Sequence, residues 1–302
     1  MIIPVQKDEA FAADFLEADK VTGAIHAWWI GQSGTLLKWN GLGLLFDPYL
    51  SDSITRAHHG TDEPRPRISE RVVDPLLLSG VDVVVCSSLR PDRFDSETLL
   101  ALRASNPQMK LVVPAGIAAE AEERLGSAAP PIISINAGTY DSVSSFEFHG
   151  IDCATPKIRR DPQGHSKELG FVTSFGPFTI YYSGATTWHT HLVKQVRRWT
   201  INLAILPING GSEEAEARDS MNGFEAAALA KAVSSSIVIP CHFDLFEDGN
   251  VTPDEFTSCC DRLHQRYRLL RLGQRMTMGP ISEASAGKAP RSEPHRSQSL
   301  GY

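Results

Sequence analysis

The sequence lacks the features of secreted and membrane-spanning chains. Its five cysteines form no Cys-x-x-Cys pair and their number is odd, which predicts free thiols in a reducing compartment rather than a disulfide framework. No apolar run reaches the roughly 18 residues of a transmembrane helix, so no membrane partner is expected. The first residues lack a basic start followed by an apolar core, which predicts no signal peptide and a cytoplasmic location.

Positive charge is also scarce. The chain carries 29 Lys and Arg against 36 Asp and Glu, a net charge of −7, and no basic stripe marks a nucleic-acid partner. Hydrophobic residues make up 42% of the 302 positions, enough for a sizeable core. We predict one domain over residues 1–280. Residues 281–302 have almost no apolar side chains, which predicts a disordered tail.

The order of elements indicates the fold class. Short alternating strands are followed by a βα repeat, and the same succession then occurs again, which is typical of an α+β protein with an αββα sandwich. In this arrangement two mixed sheets lie face to face between helices. The pattern predicts a strand over 81–86, a helix over 96–105 and another over 188–198. Residues 51–75 are polar and rich in proline, which predicts a long loop.

The stretch VDVVVCSSLRPDRFD, residues 81–95, carries the most informative motif. A buried strand ends at a polar loop, and chemistry in α/β proteins gathers at such carboxyl ends of strands. The loop resembles the metal-binding loop of the metallo-β-lactamase superfamily, in which Thr-His-x-His-x-Asp-His separates a strand from a helix. Only the aspartate of that motif is present, as Asp92. The three histidine positions carry Ser88, Arg90 and Arg93.

Five further motifs occur in the order expected for one subgroup of that superfamily. They resemble the subgroup that contains ascorbate-6-phosphate lactonase, and the resemblance covers roughly residues 24–280. The motifs are AWWIGQSGTLLKW, FDPYLSDS, YYSGATT, LAILPING and VIPCHFDLF. The resemblance implies a pair of zinc or manganese ions that activate a water for attack on a lactone, phosphodiester or amide.

The ligand set implied by this resemblance is degenerate. His242 stands at the position of the final metal ligand, whereas Ala185 replaces the bridging aspartate and the middle histidine falls near Lys157. Asp92 and His242 are fewer than the three protein groups that a zinc site normally needs. Arg90 and Arg93 would also place fixed positive charge where cations bind. We therefore predict that the dinuclear site is largely lost, with no dizinc hydrolysis and no established cofactor.

Asp92 and His242 remain the candidate catalytic residues, each with a structural alternative. Asp92 could cap the helix that follows it or pair with Arg90 or Arg93. His242 could be a core histidine held by hydrogen bonds.

Three functions stay open at this point. The first is an anion-binding pseudo-enzyme, because arginines bind phosphate or carboxylate bidentately. Its ligand, a small anionic molecule, would contact Ser88, Arg90, Arg93 and Lys157.

The second is a hydrolase with a relocated mononuclear metal site at His189, His191 and His242. The third is a metal-independent hydrolase in which His242 acts as general base. The nucleophile would be Ser87, Ser88 or Ser183.

Overall fold

The computed structural model describes residues 1–211, 219–247 and 250–280. In these ranges the strands form two mixed sheets, which confirms the predicted α+β class. The strands are β1 Ile25–Trp29, β2 Thr35–Trp39, β3 Leu42–Phe46, β4 Val83–Val85, β5 Lys110–Pro114, β6 Ile132–Ile135, β7 Tyr140–Val143, β8 Phe146–Asp152, β9 Leu169–Phe175, β10 Phe178–Tyr182, β11 Leu203–Pro207, β12 Ile237–Cys241 and β13 Arg275–Met278. The predicted tail, 281–302, lies outside the described residues.

Each sheet changes from antiparallel to parallel pairing along its width. The seven-stranded sheet has the order β13-β1-β2-β3-β4-β5-β6, with antiparallel pairs from β13 to β3 and parallel pairs from β3 to β6. The six-stranded sheet, β12-β11-β10-β9-β8-β7, is antiparallel from β7 to β10 and parallel from β10 to β12. The repeated pattern matches the two successions of strands and βα units in the sequence.

Aromatic contacts join the two sheets. The ring of Phe46 in β3 stacks on that of Tyr182 in β10, with centroids 4.6 Å apart. Trp39 in β2 lies 5.7 Å from Phe175 in β9. Burying such large rings between two apolar faces is the main favourable term in sheet-on-sheet packing. The sheets therefore share one hydrophobic core.

Helices connect the strands and contact the sheets. They are α1 Asp8–Glu17, α2 Ser53–Ala57, α3 Ser96–Ser105, α4 Ala118–Leu125, α5 Leu192–Val196, α6 Gly223–Ala232 and α7 Asp254–Leu263. Helix α6 contacts β11 and β12, α4 contacts β6, and α5 contacts β8. Among the described residues, no helix has the length and apolarity needed to cross a membrane.

Some predicted elements have different bounds. The strand predicted over 81–86 is limited to β4, and the helix predicted over 188–198 is limited to α5. The polar stretch 51–75 is not entirely a loop, because it contains α2. The helix predicted over 96–105 is confirmed as α3, and its N-cap is Asp95, whose carboxylate accepts from the backbone N–H of Thr98. The predicted capping role of Asp92 is therefore wrong.

Candidate functional site

The site lies where several strands end. Gln32 lies between β1 and β2, Asp47 follows β3, Arg93 lies between β4 and α3, and His242 follows β12. Because parallel strands place their carboxyl ends along one edge, residues more than 200 positions apart meet there. We use the name Arg93 cluster for a buried group of polar residues at this edge: Gln32, Ser33, Asp47, Ser87, Asp92, Arg93, Tyr182 and His242.

Arg93 and Asp47 form the centre of the cluster. Both side chains are 0% exposed, and Nη1 of Arg93 donates to Oδ2 of Asp47 over 2.7 Å. The other oxygen of Asp47 accepts from the backbone N–H of Ser87 over 2.6 Å. Hydroxyls of Ser87 and Tyr182 also donate to Oδ2, over 2.6 and 2.5 Å. The carboxylate is thus saturated with donors, as a buried charge requires.

The charges of this pair depend on each other. Burial raises the pKa of Asp47, while the guanidinium of Arg93 and the hydrogen bonds from Ser87 and Tyr182 oppose the rise. Burial likewise opposes the charge of Arg93, but Tyr182 and Asp47 raise its pKa above the ordinary arginine value. A guanidinium does not lose its proton in proteins, and Asp47 supplies its counter-charge. Arg93 is therefore a fixed buried cation.

Arg93 also contacts His242. Its Nη2 lies 2.8 Å from Nδ1 of His242, and the hydroxyl of Ser33 lies 3.0 Å from the same nitrogen. Because a guanidinium can only donate, Nδ1 of His242 is the accepting nitrogen in the contact with Arg93. Burial and the charge of Arg93 lower the pKa of His242 to about 4. The imidazole is therefore neutral near pH 7.

Gln32 and Asp92 lie on the other side of His242. The Gln32 amide nitrogen donates to Oδ2 of Asp92 over 3.0 Å and lies 2.8 Å from Nε2 of His242. That Nε2 is 3.5 Å from the same carboxylate oxygen. Burial opposes ionisation of Asp92, but the charges of His242, Arg93 and Arg90 lower its pKa to about 2. Asp92 is therefore a carboxylate held by internal partners.

The backbone of the site is locally strained. Gln32, Asp47, His242 and Asp244 have φ values of 50°, 39°, 67° and 55°, a region that side chains other than glycine rarely adopt. The carbonyl of Gln32 accepts from the backbone N–H of His242 over 2.7 Å, which ties the loop before β2 to the loop after β12. Such strain clusters at functional sites, where surrounding contacts hold it in place.

A cleft of about 340 Å³ opens beside the Arg93 cluster. Gln32, Asp92 and His242 are the cluster residues that line it. Its other walls have polar and apolar parts. The polar part includes Arg65, Arg90, Asn209, Asp219 and Asp244, and the apolar part includes Ile54, Phe243, Leu245 and Phe246. The cleft can therefore take a small molecule that has both a polar group and an apolar body.

Arg90 and Arg93 have different environments although both belong to one turn. The backbone N–H of Arg93 donates to the carbonyl of Arg90 over 2.9 Å, so the two residues begin and end this turn. The Arg90 side chain is 33% exposed and lines the cleft. Its Nη1 lies 2.5 Å from Oδ2 of Asp219, and its Nε lies 3.9 Å from Oδ1 of Asp92. Of the two arginines predicted to pair with Asp92, Arg90 forms an ion pair with it, and the 3.9 Å distance makes this a weak one.

Three of the predicted ligand-binding residues do not line the cleft. Arg93 is fully buried and its donors are directed at Asp47 and His242. Ser88 is buried, and its hydroxyl accepts from the backbone N–H of Arg90 over 3.4 Å. Lys157 is exposed and is not among the residues that line the cleft. Arg90 alone among these four predicted residues can contact a ligand in the cleft.

The structure locates the three histidines of the predicted relocated metal site. Within residues 1–211, 219–247 and 250–280, no three His, Cys, Asp or Glu side chains are grouped so that they could hold a metal ion. His189 instead contacts the backbone carbonyl of Asp152 through Nε2 over 3.1 Å, and His191 is exposed at the start of α5. His242 belongs to the Arg93 cluster. The three histidines therefore do not converge.

The hydroxyls of the predicted nucleophiles Ser87 and Ser183 form hydrogen bonds with residues other than His242. Ser87 donates to Asp47, and Ser183 donates to the carbonyl of Gly184 over 3.1 Å. The hydroxyl that does contact His242 is that of Ser33, which is buried and shares Nδ1 with Arg93. A general base needs a free lone pair toward an accessible nucleophile, and His242 offers none here.

Sequence reasoning missed Gln32, Ser33, Asp47, Tyr182 and Asp219. Gln32 and Ser33 follow Gly31 between two strands, and Asp47 precedes a proline at a strand end, positions where loop residues often carry function. These local signals could have found them. Asp219 has no such signal, because its contact with Arg90 depends on the fold.

Comparisons with known proteins agree with this architecture. Residues 27–242 match the family model for the β-lactamase superfamily domain. A UPF0173 metal-dependent hydrolase of Saccharolobus solfataricus is 22% identical over 253 residues, covering 83% of this chain and 98% of that protein. Another, from Lawsonia intracellularis, is 21% identical over 76% of this chain and 87% of its own length.

Solved structures share the fold at low identity. An isothiocyanate hydrolase from Delia radicum gut bacteria has a TM-score of 0.67 and 17% identity, covering 85% of this chain and 100% of that one. A possible metal-dependent hydrolase from Veillonella parvula has a TM-score of 0.67 and 15% identity, and the match likewise covers 85% of this chain and 100% of that one. Because the family model spans more than two thirds of the sequence, this chain belongs to the β-lactamase superfamily domain family.

Proposed function

We propose that this protein binds a small anionic molecule in the cleft beside the Arg93 cluster and does not carry out dinuclear-metal hydrolysis. One observation carries the proposal. Nη2 of Arg93 lies 2.8 Å from His242, the residue at the position of the last metal ligand in the resembling family. The guanidinium of Arg93 therefore places a fixed positive charge next to His242. The chemistry of the family requires side chains there that bind a metal cation.

The residues present do not fit the zinc or manganese pair that the resemblance implies. A metal ion at His242 would lie beside the positive charge of Arg93 and be repelled by it. The Arg93 side chain is fully buried, so it cannot turn toward solvent to reduce that repulsion. Gln32 and Asp92 face the remaining imidazole nitrogen and bond each other. Ala185, at the position of the bridging aspartate, has no ligand atom in its side chain. These residues therefore support no catalytic step through a metal.

Acid–base chemistry without a metal has little support as well. An efficient general acid or base at neutral pH has a pKa near 7. The pKa of His242 is lowered to about 4 and that of Asp92 to about 2, so neither group is suited to exchange protons there. The accepting nitrogen of His242 is already engaged by Arg93. These groups are better suited to hold a ligand than to transfer a proton.

Arg90 supports the anionic character of the ligand. It is the predicted anion-binding residue whose side chain lines the cleft and is partly exposed. Arg65 lines the same cleft, with its guanidinium 5.5 Å from the centre of the Phe246 ring. Guanidinium groups recognise carboxylate and phosphate through two parallel hydrogen bonds. The apolar wall would contact the rest of such a ligand.

Hydrolysis assays test the negative half of the proposal. The tag-free protein is assayed with a lactone, a phosphodiester and an amide, each with zinc, with manganese or with chelator. We expect the rates of the wild type to equal those of His242→Gln in every condition. Metal-dependent turnover that is lost in His242→Gln would contradict the proposal. Arg124→Gln, at an exposed ion pair with Glu120, is the matched control for a charge change elsewhere.

A further inference from the structure

The strongest clue to the ligand is a carboxylate of the protein itself. Oδ2 of Asp219 lies 2.5 Å from Nη1 of Arg90 in the cleft wall. We infer that Asp219 occupies the position of the ligand's carboxylate, and that a small monocarboxylate binds by displacing it from Arg90. This inference rests on the proposed function, because it specifies which anion the cleft takes and what competes with it.

The ion pair is built to be exchanged. The side chains of Arg90 and Asp219 are 33% and 34% exposed, so water reaches both partners. Ion pairs at such exposure add little to stability, and separating one requires little free energy. The contrast with Arg93 is direct, because that side chain has no exposure and no path by which an incoming anion could reach it. An anion therefore meets Arg90 and must compete with Asp219.

Charge balance favours a monoanion over a more highly charged ligand. The formally charged cleft-lining residues are two arginines, Arg65 and Arg90, and three aspartates, Asp92, Asp219 and Asp244. A carboxylate that takes the place of Asp219 leaves the number of carboxylates beside Arg90 unchanged at two, because Asp92 remains the other one. A dianionic phosphate would add a further negative charge close to Asp92, which lies 3.9 Å from Arg90.

Asn209 and an apolar wall of the cleft indicate which other groups the ligand carries. Asn209 lines the cleft and carries a side-chain amide, which can both donate and accept hydrogen bonds. A polar uncharged residue in the wall favours a ligand that brings a polar uncharged group such as a hydroxyl. Ile54, Leu245 and Phe246 supply an apolar wall. The ligand class is therefore a small hydroxycarboxylate with an apolar body.

The test uses sodium mandelate, an aromatic hydroxycarboxylate, in isothermal titration calorimetry with the tag-free protein. Asp219→Asn removes the competing charge, and we expect it to tighten mandelate binding about two- to fivefold. Arg90→Gln should weaken binding by about 10- to 100-fold, the effect of losing charge-assisted hydrogen bonds. Glu120→Gln removes a comparable exposed partner of Arg124 and should leave the affinity unchanged.

Neutral mandelamide separates carboxylate recognition from apolar contact, since its affinity should not respond to Asp219→Asn. The inference is overturned if mandelate binds neither the wild type nor Asp219→Asn, if Asp219→Asn fails to tighten binding, or if Arg90→Gln binds as the wild type does. Zinc content of the same sample separates the two proposals. A metal-free protein with any of these results refutes only the role of Asp219, whereas stoichiometric zinc that is lost in His242→Gln refutes the proposed function.

Discussion

Arg90 and Arg93 begin and end one turn, yet they belong to different physical environments. Arg93 points into the protein, is 0% exposed, and bonds Asp47 and His242. Arg90 points into the cleft, is 33% exposed, and pairs with Asp219, which is equally accessible. The sequence motif alone predicts the same kind of position for both, in a loop that resembles a metal-binding loop. The same substitution of residue type therefore gives a structural cation at one position and a ligand-binding cation at the other.

The difference follows from desolvation. A buried ion pair cannot exchange partners without leaving an unpaired charge in the low-dielectric interior. A partly exposed ion pair can exchange its partner for water or a solute. The Arg93 cluster is therefore expected to be rigid and resistant to metal, and the Arg90 pair to be adaptable. The following variants and measurements test this contrast.

The largest effect is expected for Arg93→Met. The methionine fills much of the volume but leaves the carboxylate of Asp47 buried without its cation. We expect the free energy of unfolding to fall by about 3–5 kcal/mol, the usual effect of breaking a buried pair. Chemical denaturation followed by circular dichroism measures it. A loss comparable to that of Arg160→Met, whose arginine is 39% exposed and pairs with Asp152, would place Arg93 among ordinary surface cations.

The second prediction concerns the pH response of His242. Its pKa is lowered to about 4 by burial and by Arg93 and Arg90, with Asp92 opposing. An unfolded histidine titrates near 6.5, so the unfolded state binds the proton first and stability falls as the pH drops from about 6.5 toward 4. In the folded protein, the imidazole signals that vanish in His242→Gln should not shift between about pH 5.5 and 8. A midpoint near 6.5 would mean that Arg93 does not engage this ring.

A double-mutant cycle sharpens the account of the buried pair. Asp47→Asn together with Arg93→Met removes both charges, so no unpaired charge remains inside the protein. We expect the double variant to be more stable than the sum of the single losses predicts, by roughly 2 kcal/mol. Strict additivity of the three denaturation midpoints, converted to free energies, would show that Asp47 and Arg93 do not depend on each other.

The smallest effect is expected for Arg90→Ala. The variant removes a partly exposed ion pair with Asp219, so the free energy of unfolding should change by less than about 1 kcal/mol. The same denaturation experiment compares it directly with Arg93→Met. A loss as large as that of the buried arginine would abolish the distinction between the two residues.

The local sequence pattern was sufficient to predict much of the fold but few of the contacts in the site. The apolar strand before the turn and the helix from Ser96 to Ser105 follow from periodicity and capping, which are properties of neighbouring residues. Motif order likewise indicated the superfamily to which the family model assigns residues 27–242. Helix α5 is shorter than predicted, because helical periodicity alone does not fix where a helix begins and ends.

The partners in the site could not be predicted because they are distant in sequence. Arg93 and His242 are separated by 149 positions, and Gln32 and His242 by 210. Both arginines carry the same side chain and stand in the same motif, so sequence gave no basis for separating them. Which one faces the interior depends on the turn geometry and on Asp47, which arrives from another strand.

Metal content per chain tests the central claim most directly. The protein is purified without a histidine tag or chelator, offered zinc and manganese, and freed of excess metal before elemental mass spectrometry. We predict far less than one metal per chain, and the same value for His242→Gln, because Arg93 already supplies the positive charge beside His242. One or two tightly held metals in the wild type, lost in His242→Gln, would contradict the claim that an arginine has taken the place of the cation.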